Sequence, residues 1–319
     1  MNKKQHNKKN TIVDNNKRLI WLGGKLVPVT EAKINVLSPT SQFGANVFEG
    51  IRCYWSEEKQ QLYAFRLDDH YKRLHHSIKI FRMKSPYTTE DFKRGLIDVV
   101  KANNYREDIQ VRQTVFVDGL GGTWSSCEPI NMFIAPIPKG RTLIEGKKGL
   151  RCQVSSWERI SDNNLSPRAK MGANYINSRM AHLEAQQNGY DTAIFLNHQG
   201  KVAEGPGSCF FMVRDNVLYT PPCTASVLES ITRDTIIRIA REILGIETIE
   251  RDIDRTELYI CDEAFLCGSA MEITQVINVD GYPIGNGECG TLTKKLFDTY
   301  YEVLTDKHLQ YRNWLTPIY

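Results

Sequence analysis

Residues Ser166–Ala181 read SPRAKMGANYINSRMA, and the rest of the chain is best understood outward from them. Lys170 stands in a turn-like stretch with Pro167, Gly172 and Asn174 around it. A helical pattern follows, with Ile176, Met180 and Leu183 spaced for one apolar face and Gly189 placed as a C-terminal stop. A lysine at the mouth of a helix suits imine chemistry. The amine must be fixed in place and partly desolvated to act as a nucleophile near neutral pH. On spacing alone, a solvated surface lysine is the commoner explanation.

The 319 residues are enough for two domains or one large one, and 41% hydrophobic with 24% charged residues is ordinary for a soluble globular protein. A net charge of +4 is too small to argue for nucleic acid. The start of the chain, Met1–Asn16, is basic but without aromatic residues for base stacking, and reads as a disordered tail. It has no apolar core of the signal-peptide kind, and no run of about 20 apolar residues suggests a membrane span. The eight cysteines form no CxxC pair and the seven histidines no HExxH pattern. Free thiols in a reducing cytoplasm are therefore expected, without disulfide or metal site.

Leu19–Val29 reads as a hairpin, and Ile51–Trp55 with Leu62–Arg66 as a second. Leu67, Tyr71, Leu74, Ile78 and Phe81 mark an amphipathic helix, with Arg73 off its apolar stripe. Thr89–Asn103 is a further helix, and Ile109–Val117 and Asn131–Ile137 are strands of the same sheet. From Pro138 the chain turns glycine-rich and basic, PKGRTLIEGKKG, which predicts an interdomain linker. The division expected is a tail (1–18), a small α/β domain (19–137), a linker (138–148) and a larger α/β domain (149–319). Beyond the linker, strands alternate with turns, and Ser230 precedes a helix over Ile231–Leu244. A serine N-cap leaves first-turn N–H groups and the positive dipole end available to an anion. Ala264–Leu266 is a buried strand ending in the small-residue turn Cys267–Ala270.

Six blocks stand in order: FGANVFEGIRCY, HYKRLHHSIKIF, AKMGANY, VAEGPG, LESITRD and CGSAMEIT. Together they resemble the class IV (fold-type IV) pyridoxal-phosphate aminotransferases, and most of all the branched-chain amino-acid aminotransferases, from about Leu19 to the C-terminal helix. The resemblance implies two α/β domains with pyridoxal 5'-phosphate in the cleft between them. Lys170 matches the family's Schiff-base lysine and Glu204 the carboxylate that keeps the pyridine nitrogen protonated; Tyr175 matches the residue bonded to the ring's phenolic oxygen. The phosphate would take the Ile231 and Thr232 N–H groups, the Thr232 hydroxyl, Ser269 and a bidentate Arg73, with Leu228 also at the cofactor. Phe48, Gln110, Arg112 and Ala270 would line the substrate side, Arg112 receiving the distal carboxylate of glutamate. The family also implies a homodimer in which a loop of one subunit completes the other's pocket.

The departures concern the surroundings of these residues. The family usually has asparagine where Cys209 stands, a small residue at Pro206, and Pro-Gly at Glu229-Ser230. A carboxylate beside a phosphate would repel it, so Glu229 is expected to point away. Phe43 stands where the family has tyrosine, and Gln110, Lys139 and Thr142 replace aromatic positions; an amide, an ammonium and a hydroxyl in place of rings predict a wetter, more basic pocket and an acceptor or donor that is polar or acidic. The activity expected is amino-group exchange between an amino acid and a 2-oxo acid, with glutamate/2-oxoglutarate as one partner. A lyase, a D-amino-acid transaminase or an amine transaminase on the same fold is the alternative, and a non-catalytic binding protein is a third.

Overall fold

The computed structural model describes residues 17–142 and 148–319. The expected disordered tail lies outside these residues up to position 16, as does the middle of the expected linker, 143–147. The described chain folds around two sheets.

The first begins with the hairpin β1 (Leu19–Leu22) and β2 (Lys25–Pro28), followed by a short helix α1 (Pro39–Phe43). Strands β3 (Asn46–Ser56) and β4 (Gln61–Phe65) lead to helices α2 (Leu67–Ile80) and α3 (Thr89–Asn103), then to β5 (Ile109–Val117) and β6 (Ile130–Pro138). Thr88 and Asp91 cap α3 reciprocally, which explains why that helix starts where the sequence placed it. Leu67, Tyr71 and Leu74 of α2 and Phe92, Leu96 and Val99 of α3 are fully buried against Ile51, Val111 and Ile134 of the sheet.

The second half supplies β7 (Leu150–Val154), α4 (Asn174–Gln187), β8 (Thr192–Ile194), β9 (Glu204–Gly205), β10 (Ser208–Arg214) and β11 (Val217–Thr220). Helix α5 (Ile231–Arg238) follows, then β12 (Thr248–Glu250), β13 (Glu263–Gly268), β14 (Glu272–Val279), β15 (Tyr282–Pro283) and α6 (Thr291–Leu304). These strands build a nine-stranded mixed sheet of order β12-β11-β10-β13-β14-β7-β8, with β9 on β10 and β15 on β14.

The chain's end returns to the first sheet. A last strand, β16 (Leu315–Pro317), crosses back and pairs antiparallel with β4, so the first sheet runs β16-β4-β3-β5-β6-β1-β2.

Two helix expectations also change. Ile176, Met180 and Leu183 do not face the core: they are 63%, 39% and 43% exposed, while Asn174, Ser178, Ala181 and Ala185 are buried. Small side chains let α4 approach the sheet closely, and Ala181 and Ala185 pack with Ala193. The helix over Ile231–Leu244 is α-helical only to Arg238, and Ile239–Ile243 continues it as a π-helical turn.

Candidate active site

The strand β3 alternates its side chains between two functions. Phe48 and Gly50 lie on one face, paired in register with Thr114 and Arg112 of β5, and Gln110 falls opposite Arg52 on that same face. This face forms one wall of a cavity of about 270 Å³ whose opposite walls come from the second sheet. Gly50 leaves room there, since a Cβ would meet Gln110 Nε2 at 3.1 Å.

Lys170 is fixed by backbone rather than by a helix. Its N–H donates to Ser77 Oγ of α2 at 3.0 Å, and its carbonyl accepts from the Phe48 N–H at 2.9 Å. Asn174 staples the preceding turn by donating to the carbonyls of Ser166 and Ala169, both at 3.0 Å. Gly172 is required on packing grounds, because a Cβ would sit 2.4 Å from Asn46 Oδ1. The lysine Nζ projects into the cavity, donates to Tyr175 Oη at 2.7 Å, and lies 4.9 Å from the centre of the Phe48 ring.

Across the cavity stands Glu204, 4% exposed rather than a solvated hairpin residue. Arg159, which sequence reading missed, holds its Oε1 from Nε at 2.8 Å and Nη2 at 2.7 Å. The Leu228 N–H donates to Oε2 at 3.2 Å. Burial pushes the carboxyl above its usual range, while Arg159 and the Leu228 N–H pull the other way. No sequence signal marks Arg159: it is one arginine in the polar stretch Ser155–Asn163.

Cys209 fills the place where asparagine was expected, with Sγ 3.9 Å from Glu204 Oε2 and 3.8 Å from the Leu228 carbonyl. Burial pushes this thiol up to about 12, so it stays protonated and can donate weakly to the carboxylate.

At the third side, Ser230 caps α5 by accepting from the Arg233 N–H at 3.3 Å. Ser230, Ser269 and Ala270 line the cavity, and Ile231 and Thr232 form the first turn immediately after Ser230. Those first-turn N–H groups have no intrahelical acceptor. Glu229 does point away, to Arg168 Nε at 3.1 Å.

Arg73, expected to grip the phosphate with both prongs, has its guanidinium bonded within the chain. Its Nε and Nη2 are taken by Glu49 at 2.8 and 2.6 Å, and its Nη1 donates to the Glu229 carbonyl at 2.9 Å. Glu49 points to the opposite face of β3 from Phe48, is fully buried, and also meets His70 Nδ1 at 2.7 Å. Burial alone would raise its pKa, but Arg73 and His70 override that and hold it far below the usual carboxylate range. Arg73 lines the cavity, but its fork is committed elsewhere.

Lys139 and Thr142 are not brought to the cavity either. The Lys139 carbonyl binds Arg52 Nη1 at 2.6 Å, and the Thr142 hydroxyl donates to the Met271 carbonyl at 3.1 Å. Phe43 is also outside the cavity wall, 47% exposed on α1. Gln110 and Arg112 do line it. Arg112 stacks on Phe48 at 3.5 Å, and no carboxylate among the described residues pairs with it.

A constrained amine, a buried carboxylate and a helix N-terminus thus converge on one cavity. Residues 46–279 match the family Amino-transferase class IV. The chain is 38% identical to a probable branched-chain-amino-acid aminotransferase of Aquifex aeolicus (strain VF5), over 93% of this chain and 95% of that one. It also superposes on the branched-chain amino acid aminotransferase of Thermobaculum terrenum in PLP-form, at a TM-score of 0.90 and 43% identity, covering 96% and 99% of the two chains. The branched-chain aminotransferase of the thermophilic archaeon Thermoproteus uzoniensis, solved with norvaline, aligns at a TM-score of 0.89 and 42% identity, covering 95% and 99%.

The chain belongs to the class IV aminotransferases.

As a class IV aminotransferase it exchanges an amino group between an amino acid and a 2-oxo acid. No helix among the described residues is long and apolar enough to cross a membrane.

Proposed function

We propose that this aminotransferase holds pyridoxal 5'-phosphate in the cavity and uses glutamate/2-oxoglutarate as one of its two substrate pairs. The observation that carries the reading is the Lys170 amine, oriented by Tyr175, facing the same cavity as the buried Glu204. The residues present suit the group: an amine for its aldehyde, a carboxylate for its ring nitrogen, and serine hydroxyls with a helix N-terminus for its phosphate. When bound, the cofactor supplies an aldehyde and an electron-accepting ring.

The protein's part is positional. Lys170 Nζ would hold the cofactor's aldehyde and move the proton at the substrate's α-carbon, and Tyr175 Oη sets the direction of that amine. Glu204, kept in place by Arg159 and the Leu228 N–H, stabilises a positive charge on the ring nitrogen. Ser230 and Ser269 of the cavity wall and the first-turn N–H groups of Ile231 and Thr232 would hold the phosphate, with Arg73 contributing positive charge rather than a two-pronged grip. Arg112 receives the substrate's distal carboxylate.

The relatives are named for branched-chain substrates. In this chain Gln110 adds an amide next to Arg112 on the same face of β5. A leucine side chain packed there loses part of the roughly 1.5–3 kcal/mol that full burial normally provides. The second substrate range therefore extends beyond purely aliphatic amino acids to polar ones. Turnover of leucine, isoleucine and valine compared with polar amino acids, 2-oxoglutarate as acceptor, tests this by keto-acid formation. Polar candidates are expected within an order of magnitude of leucine; leucine far above them all defeats the wider range but not transamination.

We also place the protein in the cytoplasm, in keeping with eight free cysteines, and as a homodimer. A second groove of about 430 Å³ shares Tyr175, Ser178, Gly207 and Ser208 with the first cavity and adds Leu183, Pro206 and Met271. Beside it α4 exposes Ile176 and Met180, and the β5–β6 loop exposes Leu120 and Trp124 at 83% and 79%. A knob and a hollow on one chain can be satisfied by a second copy. Light scattering should give twice the chain mass, and Trp124→Glu should shift it toward monomer with lower activity. A wild-type monomer at micromolar concentration rules the dimer out.

A further inference from the structure

Beyond the cavity, strand β3 continues on the same face as Phe48 and Gly50 with Arg52 and Tyr54. Both end on one buried carboxylate, Glu272, at the start of β14. Its Oε1 accepts from Arg52 Nη2 at 3.1 Å and Tyr54 Oη at 2.8 Å. Its Oε2 accepts from the Thr142 N–H at 2.6 Å and from Tyr301 Oη of α6 at 2.6 Å. Four donors from a strand, a linker and a helix converge on a side chain only 1% exposed.

The backbone around it is also unusual. Glu272 has φ +55°, a left-handed conformation that costs a non-glycine residue on the order of 1 kcal/mol or more and persists only when surroundings dictate it. Arg52 shows the same priority. Nη1 and Nη2 go to the carbonyls of Lys139 and Gly140 and to Glu272, while its buried Nε has no acceptor.

What this arrangement holds is the turn between β13 and β14. Gly268 is secured by the ladder opposite Glu272, but Ala270 and Met271 lie at the tip, outside it. The Thr142 hydroxyl donates to the Met271 carbonyl, as does Thr274 Oγ1, while the Thr142 N–H is anchored on Glu272 and its carbonyl accepts from Tyr301 Oη. Ala270 forms part of the cavity wall. Building on the proposed function, we propose that Glu272 is a positioning residue that, together with the Lys139–Thr142 linker it anchors, fixes the Ala270–Met271 turn whose Ala270 walls the cavity, and so sets substrate affinity without touching cofactor or substrate.

Glu272→Gln keeps the volume but its NH2 cannot accept from Thr142 N–H and Tyr301. In the holoenzyme, KM for both amino acid and 2-oxo acid is expected to rise about tenfold, as for loss of hydrogen bonds to a charged group. Cofactor affinity and absorbance should stay within about a factor of two, because the ladder and Lys170 are untouched. Tyr301→Phe, which removes a hydroxyl shared between Glu272 Oε2 and the Thr142 carbonyl without burying a new polar group, should move KM the same way by about threefold. It also carries the test alone if Glu272→Gln does not fold. Unchanged KM in every folded variant overturns the proposal, as does a loss of cofactor affinity parallel to KM, which marks a merely structural role. A wild-type enzyme without any transamination refutes the functional reading instead, so the two failures are distinct.

Discussion

Lys170→Ala should abolish amino-group exchange while leaving the protein folded. Proton transfer by a positioned side chain is worth about 10²–10⁴ in rate, and this residue also attaches the cofactor, so a fall of at least about 10³-fold in kcat/KM is expected. That corresponds to about 4 kcal/mol of lost transition-state stabilisation. The fold should survive, because the bonds that build this turn are backbone bonds to Ser77 and Phe48 and the Asn174 staple. Alanine keeps all of them. Steady-state turnover, alongside a thermal melt, checks both halves of the expectation, and undiminished turnover would remove the lysine from the mechanism.

Glu49→Gln should produce the largest loss of stability. Removing one partner of a buried ion pair typically costs 3–5 kcal/mol, because the remaining charge is left uncompensated. Here the remaining charge is Arg73, itself buried beneath the cavity. For a chain of this size the melting temperature should drop by on the order of 10 °C. The pH dependence follows from the same pair. Glu49 is held ionised far below its ordinary range, so its contribution is complete above about pH 4.5 and is lost as pH falls toward its folded value. His70 is also shifted down, by burial, so the unfolded chain takes up a proton below about pH 6.5 that the folded chain refuses. Both act in one direction: wild-type stability declines on acidification from pH 6.5, and steepens below 4.5. The variant should lack the lower step. A melt within a degree or two of wild type at pH 7 would mean that Arg73 is satisfied by other groups.

These two residues illustrate what could be read in advance. Lys170, Tyr175 and Glu204 were legible because each sits in a block whose order along the chain is distinctive, and the structure brings them to one cavity. Glu49 lies in the same block as Phe48 and Gly50, and strand alternation already sends it to the other face. Its capture of the Arg73 fork was not readable, since it depends on how α2 lies across β3. Arg159 had no signal at all. The α4 face was misread for a different reason: apolar spacing tells which residues share a side, not whether that side meets this chain's core. Lys139 and Thr142 were misplaced because a linker's course is set by distant anchors, here Arg52 and Glu272.

The strand Leu315–Pro317 bears on how the molecule comes into being. Its partner β4 was laid down some 250 positions earlier, and Trp314 beside it accepts the Arg66 N–H ahead of α2. During synthesis β4 must wait with one row of N–H and C=O groups bare until almost the entire polypeptide has emerged, a period in which foreign strands can add to it. A chain ended by proteolysis or a premature stop just before Leu315 would retain every residue of the cavity and yet leave this seam open, with self-association as the foreseeable fate.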